Sequence, residues 1–151
     1  MKAAKRRRGY IGVWIVISII GLIALGIGGA IISTGPGRTE LQAMRIKTMD
    51  FENLRDGVYQ GAYHGAKDSF RDAGVEVTVA SGAVTQIKVT EGALSNEKQT
   101  TEIKDGLTIN SLFDKVIKSQ SLQVDVISGA TLTSNAHLKA VENALEQAAK
   151  K

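Results

Sequence analysis

The longest feature of the hydropathy pattern is an unbroken apolar run near the N-terminus. Residues 10–33 form 24 positions without a charge. As a helix this run spans roughly 36 Å, more than the ~30 Å hydrocarbon core of a bilayer. Beyond it the pattern shortens and begins to alternate. In VEVTVA (75–80), Val75, Val77 and Val79 alternate with polar residues. Ser81-Gly82 supplies a turn, and Ile87 and Val89 continue the apolar face in AVTQIKVT (83–90). This pattern predicts a β-hairpin. Asp56-Gly57 is a turn signal, and VYQGAYHG (58–65) predicts a glycine-interrupted strand with Tyr59, Gly61 and Tyr63 on one face. Glycine inside a strand points to a bulge or to close approach of another group. Two helical patterns follow. Residues 109–119 group Leu112, Phe113, Val116 and Ile117, with Asn110 or Ser111 as a cap; residues 134–149 group Leu138, Val141, Leu145 and Ala148. Strands before helices predict an α+β fold, a small antiparallel sheet with helices packed against it, preceded by one N-terminal transmembrane helix.

Charge refines this picture. Residues 1–8 hold five of the 19 Lys and Arg and no acid, whereas all 15 Asp and Glu lie from Glu40 onward. The high pI of 9.4 therefore marks the membrane end of the chain and not a folded basic face, which argues against a nucleic-acid partner. Basic residues just before the apolar run orient its N-terminus to the cytoplasm, and Tyr10 and Trp14 suit the interface. A cleaved signal peptide has an apolar region of only ~7–15 residues ending in an A-x-A-like site; the longer run ending in Ser33-Thr34-Gly35 fits an uncleaved anchor better. The expected organisation is a cytoplasmic tail over 1–9, a membrane span over 10–33, a linker over 34–53 and an extracytoplasmic domain over 54–151. Cysteine is absent, which removes disulfides, thiol catalysis, thiolate metal sites and a lipobox.

The chemistry concentrates between the two helical patterns, in DVISGATLTS (125–134). Gly129 and Ala130 are small, so a bulky group can approach the backbone there. Thr131 offers a hydroxyl just before a helix N-terminus, whose free N–H groups and dipole favour a phosphate. Thr133 and Ser134 add further donors. Taken alone, Ser-Gly-Ala-Thr reads as a turn and a cap. The longer pattern Asp-x-x-[Ser/Thr]-Gly-Ala-[Ser/Thr] is more specific, with a chance occurrence on the order of one in a thousand for a chain of this length.

These residues resemble the FMN-binding domain shared by flavinylated subunits of sodium-pumping NADH:quinone reductase and the Rnf complex, and by extracellular electron-transfer flavoproteins. The resemblance extends from residue 54 to 150, through DGVYQGAYHG, the hairpin, the penultimate helix, DVISGATLTS and the final helix. It implies FMN attached covalently, by a phosphoester bond, to Thr131. It also implies that Asp125 is recognised by an extracytoplasmic flavin transferase that draws on FAD. Ser128, Gly129, Ala130, Leu132, Thr133 and Ser134 would surround the attachment, and Tyr59, Gly61 and Tyr63 would line the ring system.

The implied function is that of a membrane-anchored extracytoplasmic electron carrier, an electron-transfer flavoprotein or oxidoreductase subunit with no catalytic residue of its own. A membrane quinol-linked donor and a downstream redox protein would be its partners. A non-redox surface or regulatory module with the same fold, and an accessory flavin subunit of a multisubunit redox pump, are the alternatives. The two histidines, His64 and His137, lack ligands at metal spacing; both are expected at the surface, as is the segment holding Asp68, Arg71 and Asp72.

Overall fold

The structure is a computed structural model that describes residues 14–23, 35, 37–67, 69–95, 98 and 100–149. The chain divides into two units, Met1–Pro36 and Gly37–Lys151. In the first, residues 14–23 are helical and their side chains are exposed. No helix among the described residues is long and apolar enough to cross a membrane. Most of the expected span, 10–33, lies outside the described residues.

The second unit is built on a three-stranded antiparallel sheet: β1 (Gly57–Tyr63), β2 (Ala73–Ala80) and β3 (Ala83–Gly92), in that order. The predicted alternation holds. Val75, Val77 and Val79 are almost completely buried, and Val77 pairs with Ile87 across the hairpin. Ser81 and Gly82 both take positive φ, 55° and 76°, the twist that suits a two-residue hairpin turn. The Asp56 carboxylate accepts hydrogen bonds from the N–H groups of Ser81 and Gly82 at 3.0 and 2.8 Å.

Helices cover one face of the sheet. Residues 37–43 form α1, Ile109–Ser119 form α2 and Thr131–Ala148 form α3. Helix α3 lies across β1 and β2, and α2 lies along β3. Phe113, Leu112 and Val116 of α2 enter a common core with Leu138, Val141 and Leu145 of α3. The cap of α2 is Thr108, in a reciprocal capping box with Ser111, rather than Asn110 or Ser111. At the other end Gln120 clasps β3, accepting from Val84 N–H and donating to Val84 C=O, each at 2.9 Å.

Residues 37–53, expected as a linker, instead belong to this unit. Leu41 and Phe51 are buried in its core. Two anchors ten residues apart set no helical or strand period, so the pattern alone does not reveal them. Asn135 of α3 donates to Leu41 C=O at 3.1 Å, fixing α1 beside the start of α3.

Candidate functional site

The loop before α3 is a tight turn. Ala130 N–H donates to Ile127 C=O at 2.9 Å, and Gly129 takes a φ of 79°. That left-handed conformation suits glycine. Ile127 N–H donates to the Ser134 hydroxyl at 3.3 Å. Ser134, expected beside a cofactor, is fully buried and braces the turn from within.

Helix α3 then begins without a cap. Its N-cap position is Ala130, no side chain bonds its first N–H groups, and its first turn holds no acid. The first intrahelical bond runs from Ser134 N–H to Ala130 C=O at 2.9 Å. The N–H groups of Thr131, Leu132 and Thr133 therefore have no acceptor within the helix. Neither Ser128 nor Thr131 acts as a cap. Thr131 is the first residue of the helix, exposed, and its hydroxyl makes no hydrogen bond among the described residues. An uncapped N-terminus with its positive dipole end is a site for an anion.

Two clefts meet beside this turn. One, of about 420 Å³, is lined by Gly129, Ala130, Thr131, Leu132 and Thr133 together with Gln42 and Arg71. The second, of about 250 Å³, is a mostly apolar slot between Phe70, Leu94, Ile103 and His137. Arg71 and Thr133 line both. The Arg71 guanidinium lies 5.2 Å from the centre of the Phe70 ring, and its Nη1 is buried without a hydrogen-bond partner among the described residues. A Cβ placed on Gly129 would lie 3.2 Å from Lys104 Nζ, so a second cation rests against the turn.

His137 departs from the expectation of a surface residue. It is 4% exposed. Its Nδ1–H donates to Thr133 C=O at 2.8 Å, while Nε2 is buried with no partner among the described residues. Burial pushes its pKa below the ordinary value, against a smaller opposing effect of the Thr133 carbonyl. The ring is thus neutral at physiological pH, with its lone pair on Nε2. His64 is exposed as expected. Asp72 hydrogen-bonds its Nδ1 at 3.0 Å and raises its pKa.

Of the residues singled out in the sequence, Gly129, Ala130, Thr131, Leu132 and Thr133 come together in one cleft, with Ser128 exposed at its turn. Asp125 does not join them. It is exposed, shares a different cleft with Arg45 and Asn135, and has its carbonyl bound by Lys115 Nζ at 3.2 Å. Tyr59, Gly61 and Tyr63 line neither cleft. The body that closes on Gly61 is α3 itself, since a Cβ there would overlap Ala140 C=O. The Tyr63 hydroxyl donates to Glu40 at 3.0 Å and that of Tyr59 to Arg55 C=O at 2.9 Å.

Arg71, Lys104, Phe70 and His137 are the residues that sequence reasoning missed. For His137 a signal existed: it lies three residues after buried Ser134 and four before buried Val141, on one side of the helix.

The geometry suits a planar cofactor that carries a phosphate: an open helix N-terminus, two cations, a small-residue turn and an apolar slot with unpartnered polar atoms. The model of the FMN-binding domain family matches residues 71–146, half of the chain and a span that holds both clefts' main residues. No curated protein matches. Among solved structures, the crystal structure of the CPE2226 protein from Clostridium perfringens is similar, at 30% identity over 63% of this chain and 88% of that one, with a TM-score of 0.47. On the family match, which includes Thr131 and the turn before it, the chain belongs to the FMN-binding domain family.

Proposed function

We propose that this protein is a membrane-anchored, extracytoplasmic flavoprotein that passes electrons through FMN joined by a phosphoester bond to Thr131. Membership of the FMN-binding domain family supports a flavin-binding, electron-transfer role. The observation that carries the covalent reading is the bare start of α3: an exposed threonine hydroxyl at the first helical position, beside N–H groups that no side chain caps.

The chain's own groups would divide the work. Thr131 Oγ would hold the phosphate, and the N–H groups of Leu132 and Thr133, with Arg71 and Lys104, would balance its charge. Gly129 and Ala130 would leave room for the ester. No base among the described residues touches the Thr131 hydroxyl, so activation falls to a flavin transferase drawing on FAD, with exposed Asp125 free to be recognised. When bound, the flavin supplies the electron chemistry, and the protein supplies its position and surroundings. A covalent tether keeps the cofactor from being diluted into the medium. The uncharged run 10–33 behind five basic residues supports anchoring by a single span, with this domain outside. A quinol-linked donor in the membrane and a second redox protein are the proposed exchange partners.

The test is intact mass and peptide mapping of the full chain coexpressed with a flavin transferase that labels a control substrate. The expected result is one FMN increment on the peptide holding Thr131, lost in Thr131→Ala and kept in Thr133→Ala. An unmodified peptide from the native membrane would overturn the reading.

A further inference from the structure

The slot beside the attachment cleft has a polarity of its own. Its walls are Phe70, Leu94 and Ile103, which would welcome a flat apolar body. Two of its lining residues, Arg71 and His137, each carry a buried polar atom with no hydrogen-bond partner among the described residues: Arg71 Nη1, a donor, and His137 Nε2, an acceptor in the neutral ring. Leaving such atoms unpaired costs free energy. A donor and an acceptor on one slot complement a carbonyl next to an N–H, the arrangement on the imide edge of a flavin ring. We infer that this slot seats the flavin ring system, and that His137 Nε2 accepts a hydrogen bond from the ring's imide N–H.

The inference rests on attachment at Thr131 as proposed above. Arg71 and Thr133 line both the attachment cleft and the slot, so a single ligand can occupy the two. Thr131 and His137 are about 9 Å apart along the helix axis at 1.5 Å per residue. A phosphate and an extended ribityl chain reach that far. His137 is then a positioning residue: it fixes the ring's polar edge, while the covalent bond fixes only the other end. The rival occupant is water bridging the two atoms.

The measurement is ¹⁵N NMR of the histidine-labelled full chain, flavinylated and as unmodified Thr131→Ala. There are two histidines, and exposed His64 serves as the reference. The Nε2 resonance of His137 is expected to move upfield on flavinylation while His64 stays put. With the flavin confirmed by mass, an unchanged His137 resonance would refute the ring contact and leave Thr131 attachment standing. An unmodified mass would remove both. Independently, His137→Leu is expected to lower the fluorescence anisotropy of the tethered flavin and His137→Gln, whose amide oxygen accepts, to restore it. Anisotropy that His137→Leu leaves unchanged would equally overturn the contact.

Discussion

Gly61 of β1 and Ala140 of α3 hold sheet and helix at a separation that admits no side chain. A Cβ on Gly61 would overlap the Ala140 carbonyl oxygen and lie 2.9 Å from Ala144 Cα. Both obstacles are backbone, so neither can swing aside. Gly61→Ala is expected to destabilise the domain by about 3 kcal/mol or more, at the upper end of overpacking costs. Urea unfolding followed by circular dichroism checks this, and a midpoint equal to that of the native chain would show that the helix shifts freely.

Gly129 faces a different constraint. Its φ of 79° disfavours any side chain, and a Cβ would press on the flexible end of Lys104 at 3.1 Å. Gly129→Ala is expected to cost about 1–2 kcal/mol through the left-handed backbone alone. The larger effect should appear as slower flavinylation, read as the modified fraction against time by intact mass.

Glu142 is fully buried within α3. Its carboxylate accepts from Lys139 Nζ at 2.6 Å and from Lys47 N–H at 3.1 Å. Removing the acid strands a partly buried ammonium and a backbone donor. Glu142→Ala should cost about 3–5 kcal/mol, the range for breaking a buried ion pair. Thermal denaturation reports it, with Glu146→Ala as the mild control, because its 2.6 Å pair with Lys47 is exposed.

The two histidines should oppose each other in pH dependence. The Asp72 hydrogen bond raises the His64 pKa. Burial alone would raise the Asp72 pKa, but the Gly65 N–H and His64 outweigh it and leave it lowered. The His64 contribution is thus complete below the histidine reference value of about 6.5 and fades as pH rises through its higher folded value. His137 has a lowered pKa, so the unfolded chain takes up its proton first. Stability is then lost as pH falls below about 6.5 toward the folded value. His64→Ala should leave stability rising with pH across this region, and His137→Gln should leave it falling. Urea midpoints at a series of pH values separate the two slopes.

Local rules made much of this domain legible in advance. Val75, Val77 and Val79 announce a half-buried strand, and Ser81-Gly82 its turn. Helices α2 and α3 follow from their apolar spacing. The turn before α3 is equally local, since Gly129, Ala130 and Thr131 are contiguous. What escaped the sequence is tertiary. Arg71 and Lys104 reach the turn from loops whose course no periodic pattern sets. Gly61 signals that something approaches the strand, but only the packed structure identifies α3 as that body. Asp125 is close to Thr131 in sequence, yet the turn sends it to another face.

The grip of α3 on the sheet has a consequence for exchange between partners. Asn143 donates to Ala62 C=O at 2.7 Å and Gln147 to Gln60 C=O at 2.6 Å, while Arg55 N–H donates to Ala148 C=O at 2.9 Å. The first residue of that rod is fixed to the body of the domain. A flavin attached there and seated in the slot as proposed would turn with the domain, and facing one partner and then another would require tumbling of the whole body. Turnover between a donor and an acceptor would then be paced by reorientation, and a more viscous medium should slow it.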